Sequence, residues 1–141
     1  MSRIIISLPS EFSFSTNIPI RIGDINRGRH LGHEAVLIIM EEARVRFLHS
    51  VGYTEWGIER AGYIMADAGV IYKRQGNYGQ TLKVEIAVTD FTSKGCDLVY
   101  RISDANDGAE IARAKTGILF YDYQQQKAVP VPEDFRKKFS I

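Results

Sequence analysis

The sequence is poor in cysteine, poor in proline and without an excess of either charge. It has one Cys, Cys96, and four Pro, and its eighteen Lys and Arg stand against seventeen Asp and Glu in 141 residues. A lone cysteine excludes an internal disulfide and fits a reducing compartment, so a cytoplasmic location is expected. The balanced charge, formally +1, excludes a broad polybasic field and gives no reason to expect nucleic acid as the main partner. The longest apolar run, Ala35 to Met40, is far too short to span a bilayer, so no membrane partner is expected. The N-terminus lacks a basic, apolar and small-residue leader, so no secretory signal is expected. There is no repeat, linker or shift in composition, which predicts one domain over residues 1–141. Phosphate-loop, GxGxxG and GxSxG motifs are also missing. At this length, folding buries roughly two-thirds of the unfolded chain's surface, enough for a true core.

What is present is alternation. Phe12, Phe14, Thr16, Ile18, Ile20 and Ile22 are separated by polar or small residues, which predicts a strand with one buried face. Pro19 removes a ladder donor and assigns that strand to a sheet edge. A polar, turn-rich stretch from Gly23 to His33 follows. A helix is predicted from about Gly32 to Ser50. Gly32 would be its N-cap, Leu31 and Val36 a hydrophobic staple, and Glu34 a first-turn acid; Gly52 would end it. Val36, Met40, Ala43, Phe47 and Val51 form its apolar stripe. The run Ala35 to Met40 is apolar all round, so the N-terminal half should be buried on most sides.

Four further strands are expected: Tyr63 to Arg74, Thr81 to Thr92, one through Cys96, Leu98, Tyr100 and Ile102, and Glu110 to Tyr123. The phase break at Asp90-Phe91 predicts a bulge, and Asp107-Gly108 a hairpin turn. Ala112, Ala114, Thr116, Ile118 and Phe120 share a face whose small residues would admit a helix lying close across the sheet. The tail from Pro132 forms at most two amphipathic turns through Phe135 and Phe139. The order is strand, helix, four antiparallel strands, an α+β chain in which one helix and one five-stranded sheet must cover each other. A single helix leaves sheet edges and its own far flank open, which predicts an oligomer.

The stretch Ile22-Gly23-Asp24-Ile25-Asn26-Arg27-Gly28-Arg29-His30-Leu31, running into Glu41-Glu42-Ala43-Arg44-Val45-Arg46-Phe47-Leu48, resembles the hotdog-fold thioesterases of the 4-hydroxybenzoyl-CoA thioesterase type. Those enzymes carry an Asp-x-Asp-x-x-Gly-His loop followed by a helix with Glu-Glu-Ala-Arg. Ile71-Tyr72-Lys73-Arg74 and Tyr78-Gly79-Gln80 resemble their second strand and its turn. The resemblance implies a five-stranded antiparallel sheet wrapped around one long central helix. It also implies a homodimer or homotetramer pairing through the second strand, active sites at the dimer interface, and an acyl-CoA or acyl-carrier-protein (acyl-ACP) substrate hydrolysed without a cofactor.

The sequence departs from the family at the usual catalytic carboxylate, which is Asn26 here. An amide accepts no proton, so Asn26 is neither base nor nucleophile, although it can hydrogen-bond a water or the thioester carbonyl. Amides near Gly32 and His33 would stabilise an oxyanion. The base is then sought at Asp24 or His30, with Glu41 more remote, Glu42 open on the helix, and Asp67 a further candidate beside the implied interface. Each has an ordinary alternative. Asp24 and Asn26 suit turns, Glu41 and Glu42 suit a solvated helix face, and Cys96 suits the core. His30 and His33 form His-x-x-His without a further ligand at metal spacing, so no metal is expected.

Two other readings compete. A hotdog hydratase or dehydratase has Asp-x-Asn-Pro-x-His; Asp24-Ile25-Asn26 matches its start, but Pro is absent and His30 lies one residue too far. A non-catalytic acyl-CoA-binding protein would account for the amide at position 26.

Overall fold

The computed structural model describes residues 3–54 and 61–140. In chain order the elements are β1 (Phe14–Pro19), α1 (His33–Ser50), β2 (Gly62–Tyr72), β3 (Thr81–Thr89), β4 (Gly95–Asp104), β5 (Glu110–Asp122), β6 (Lys127–Ala128) and α2 (Glu133–Phe139). The sheet runs β1-β3-β4-β5-β2, all antiparallel, with β6 on β5. β1 lies at one edge, where Pro19 is opposite Thr81, and β2 at the other.

The register explains the core. Ile86, Tyr100 and Ala114 lie side by side across three strands, as do Val84, Ile102 and Ala112, and all six are fully buried. Alternation has therefore placed every apolar phase on the same side. Against that face lie Val36, Ile39, Met40, Ala43 and Phe47 of α1. The small face expected on β5 is buried from Ala112 to Phe120. One polar pair is enclosed there: the Tyr100 hydroxyl lies 3.0 Å from the Thr116 hydroxyl, so neither is left unsatisfied. α2 closes one end, with Phe135 fully buried against Phe120, Phe91 and Tyr53, and Phe139 against Phe47. The opposite sheet face carries charge, including Glu85 bonded to Arg101 directly across the ladder at 2.8 Å. Ile6 of the N-terminal segment packs there on Ile71 and Val99.

Several expectations need correction. The first strand stops at Pro19 instead of reaching Ile22, which is 71% exposed in a 3-10 turn over Ile22–Asp24. After one more ladder bond, from Ile20 N–H to the Gln80 carbonyl, the Asp24 carboxylate takes the Arg21 N–H and turns the chain away. At Asp90 there is no bulge: β3 ends at Thr89 and Asp90 takes a positive φ of 52°. The register shifts lie at Met65/Asp67 and Ile102/Ser103. The sheet has a sixth strand, the two-residue β6, which the sequence did not reveal. Leu37 and Ile38 of α1 are 46% and 59% exposed, so the N-terminal half of the helix is not enclosed by this chain.

Candidate active site

The loop before α1 is built from short-range bonds that follow from its turn residues. The Asn26 side-chain oxygen accepts the Gly28 N–H at 2.9 Å, an Asx turn. The Asn26 N–H donates to the His30 carbonyl at 2.9 Å, and Ile25 bridges Leu31. Gly28 sits between the two side chains: a Cβ there would lie 3.0 Å from His30 Cε1 and 3.3 Å from Asn26 Oδ1. Asn26 and His30 are thus brought together. The Gly32 N–H donates to the Asp24 carbonyl, and the Leu31 N–H to the Gly76 carbonyl, so the loop is fixed both to itself and to the turn after β2.

Gly32 is the N-cap, with extended φ and ψ and no side-chain cap. The carboxylate of Glu34 folds back over it, so that a Cβ at position 32 would collide with Glu34 Oε1. The same carboxylate lies 3.4 Å from His33 Nδ1. The Tyr72 hydroxyl donates to the His33 carbonyl at 3.0 Å. Partial burial, and after it the negative charge of Glu34, hold the Tyr72 phenol above its ordinary pKa.

Beside this helix tip lies an open cleft of about 330 Å³. Leu31, Val36 and Ile111 give it apolar walls, while Asn26, His33, Tyr72, Lys73 and Arg74 give it polar and cationic ones. An apolar cleft with a few convergent polar groups is the usual form of a small-molecule site.

The other candidates lie elsewhere. Asp24 is buried, with Oδ2 bonded to the Arg21 N–H at 2.8 Å, and lines a different cleft with Ile18, Ile38 and Glu42. Glu42 is bonded to Arg46 at 2.7 Å, and Arg46 continues to Thr16. Glu41 is exposed, 3.7 Å from Arg44. Asp67 is exposed on β2 and accepts the Gly117 N–H at 3.1 Å, beside Asp97 in a depression of its own. Among the described residues, no three His, Cys, Asp or Glu side chains cluster to hold a metal ion. Cys96 is buried, and burial pushes its thiol up to about 12.

Sequence reasoning missed Tyr72 and Glu34 as members of this group. Tyr72 entered only as one residue of the strand Ile71-Tyr72-Lys73-Arg74, with no role of its own, and Glu34 looks like any acid in a first helical turn.

The profile of the thioesterase-like superfamily matches residues 20–139. The chain belongs to that superfamily. Solved structures agree in fold, that of the hotdog proteins. A 1,4-dihydroxy-2-naphthoyl-CoA thioesterase from Synechocystis superposes with a TM-score of 0.82 at 19% identity, over 89% of this chain and 94% of that one. A thioesterase from Thermus thermophilus, complexed with coenzyme A and Zn, gives 0.78 at 16% identity, over 93% of this chain and 100% of that one. A 12:0-ACP thioesterase from Umbellularia californica gives 0.74 at 19% identity, over 88% of this chain but 51% of that one. Among proteins of curated function, none matches the sequence.

Proposed function

We propose that this superfamily member, folded as one hotdog domain, hydrolyses acyl thioesters, with coenzyme A as the thiol carrier. The observation that carries the reading is the apolar cleft at the N-terminus of α1, with Asn26, His33 and Tyr72 on its wall. The Gly32 N–H expected to help hold an oxyanion is instead taken by the Asp24 carbonyl. A thioester carbonyl directed at the helix tip would therefore rely on the amides that follow it and on the positive end of the helix dipole. The acyl group would rest against Leu31, Val36 and Ile111. Lys73 and Arg74 favour an anionic carrier, as does the coenzyme A held by the Thermus relative. No cofactor is required for this chemistry.

The reading includes a homodimer pairing through β2, with further association into a tetramer open. β2 is an eleven-residue edge strand with Met65, Ala66, Asp67 and Ala68 exposed, and long open edges favour pairing. The exposed Leu37 and Ile38 of α1 give such an assembly apolar surface to cover. A cytoplasmic site of action goes with this reading, the lone buried thiol of Cys96 fitting a reducing compartment.

The test is release of free thiol from a panel of short, long and aromatic acyl-CoAs, with acyl-ACP and an enoyl-CoA alongside. Thiol release from at least one acyl-CoA is expected. Tight binding without release would replace catalysis by storage or transport. Loss of enoyl absorbance with the thioester intact would make the protein a hydratase.

A further inference from the structure

We propose that residues 3–5 form an arm that passes from one protomer to its partner across the β2 edge, laying Ile4 and Ile5 on the partner's sheet and Arg3 beside the partner's Asp67, Asp90 and Asp97. This rests on the β2 homodimer of the reading above and adds a second contact between the two copies. The path of the N-terminal segment carries the argument. The Ser13 N–H bonds to the Ile86 carbonyl at 2.9 Å, beside the β1 edge. From there the segment runs over the charged face of the sheet. The Phe12 ring lies under the Arg101 guanidinium of β4, 4.8 Å from carbon to ring centre. The Ile6 carbonyl accepts a 3.0 Å bond from Arg113 of β5. The Ile6 side chain packs on Val99 and on Ile71 of β2 and reaches over Gly69, where a Cβ would lie 3.8 Å from Ile6 Cδ1. The segment has thus crossed the sheet from one edge to the other, and the residues before Ile6 leave it over β2. There Ile4 is 58% exposed and Ile5 86%.

Adjacent exposed isoleucines beside an unpaired strand edge call for one cover that serves both, and a second copy of this chain supplies it. A two-fold axis through the middle of β2 makes the two sheets continuous, charged face with charged face. The arm leaves over Gly69 and Ile71, in the second half of the strand, so it arrives over the middle and first half of the partner's strand. On that part of the same face the ladder sets Asp97, Gly117 and Asp67 side by side, with Asp90 in the same depression. Burial raises the Asp97 carboxyl; Lys115 opposes this from 3.5 Å, and the charges of Asp90 and Asp67 add to it. Arg3 brings a further cation to these crowded carboxylates. Ile64 and Leu119, opposite each other in the ladder and half-buried, offer the isoleucines apolar surface.

The experiment combines sedimentation of the full chain with photo-cross-linking from position 4. Cys96 is buried, so a benzophenone maleimide on Ile4→Cys labels the arm alone. Mixed with isotope-labelled chain and irradiated, it should give a species of twice the chain mass that joins labelled to unlabelled chain, attached in β2 or β5 of the partner. Ile4→Ser combined with Ile5→Ser should raise the dimer dissociation constant about tenfold or more, since two apolar side chains lose their cover. Arg3→Glu should raise it about threefold or more at low salt, and by less at high salt. All three side chains are exposed in the single chain, so its circular dichroism should not change. Cross-links confined to one chain, or a doubly substituted dimer within about threefold of wild type, overturn the arm and leave the β2 dimer standing. An Arg3→Glu dimer as tight as wild type overturns the contact with the aspartates. A wild-type chain that sediments as a monomer at every concentration overturns the dimer and the arm together, while thiol release still reports on hydrolysis.

Discussion

The Tyr72 hydroxyl donates a 3.0 Å hydrogen bond to the carbonyl of His33, joining the end of β2 to the first residue of α1. That bond holds one wall of the cleft against the helix tip, where the reaction is placed. Tyr72→Phe keeps the ring and removes the bond. Because the site is exposed, the stability loss should be modest, about 1 kcal/mol in urea unfolding. Thiol release should fall further than that, through kcat, because the wall and the tip are no longer in register. A variant with unchanged stability and unchanged kcat would show that the bond holds nothing of consequence.

Much of this architecture was legible because it depends on periodicity. The Val36–Phe47 stripe and the Ala112–Phe120 face are buried as their spacing requires, and Pro19 does mark an edge strand. What escaped was set by short-range side-chain and hairpin contacts that leave no periodic signal. The exit of β1 depends on Asp24 capturing the Arg21 N–H, and β6 is a two-residue strand that exists only because β5 is there to pair with it. Leu37 and Ile38 carried an apolar signal that this chain does not bury, consistent with the oligomer proposed. For the site, motif spacing located the loop and helix tip. It did not separate Asp24 from Asn26, two residues apart yet lining different clefts, because that depends on the twist of a single 3-10 turn.

Glu110 and Arg113 form a two-bond pair, both bonds 2.8 Å, and hydrogen bonding to Arg113 holds the Glu110 carboxyl below its ordinary value. A depressed carboxyl contributes stability that is fully present above the unfolded pKa, near 4.5, and is lost as pH falls through the folded one. Glu110→Gln should therefore be less stable than wild type at pH 7, and the gap should close below pH 4.5. Asp97 is shifted the other way, chiefly by burial and against the pull of Lys115, so Asp97→Asn should cost nothing at pH 7. Chemical denaturation across pH measures both. A Glu110→Gln gap that persists unchanged into acid would remove the ion pair from the account.

Arg44 is only 9% exposed, its Nε has no hydrogen-bond partner among the described residues, and its guanidinium lies 6.0 Å from the Tyr63 ring. Glu41 at 3.7 Å and the Tyr100 and Tyr63 hydroxyls hold the charged form against burial. An apolar side chain of similar length removes the desolvation cost together with those contacts and should replace it with little loss. Arg44→Met is expected within about 1 kcal/mol of wild type. Phe47→Ala, one turn along the same buried face, should cost about 3–5 kcal/mol, because it leaves a cavity among Phe14, Phe139 and the sheet. Urea midpoints for the two variants give the comparison; a larger loss for Arg44→Met would mean that the guanidinium organises its surroundings.

Cys96 lies on the buried face of β4, and burial first, then the neighbouring Asp97, push its thiol up to about 12. The thiolate is the reactive form, so at neutral pH the folded protein should have almost none of it available. A disulfide reagent added to native protein should register no thiol over the minutes of an activity measurement, and one thiol per chain after unfolding in guanidinium. This matters for the proposed chemistry, because the same reagent counts coenzyme A released from substrate. With Cys96 silent, any signal that rises with acyl-CoA comes from the substrate. Cys96→Ser should leave that signal unchanged while lowering stability, since a hydroxyl replaces a thiol in an apolar layer beside Ile118. If native Cys96 reacts at the rate of an exposed thiol, β4 opens far more readily than its packing implies.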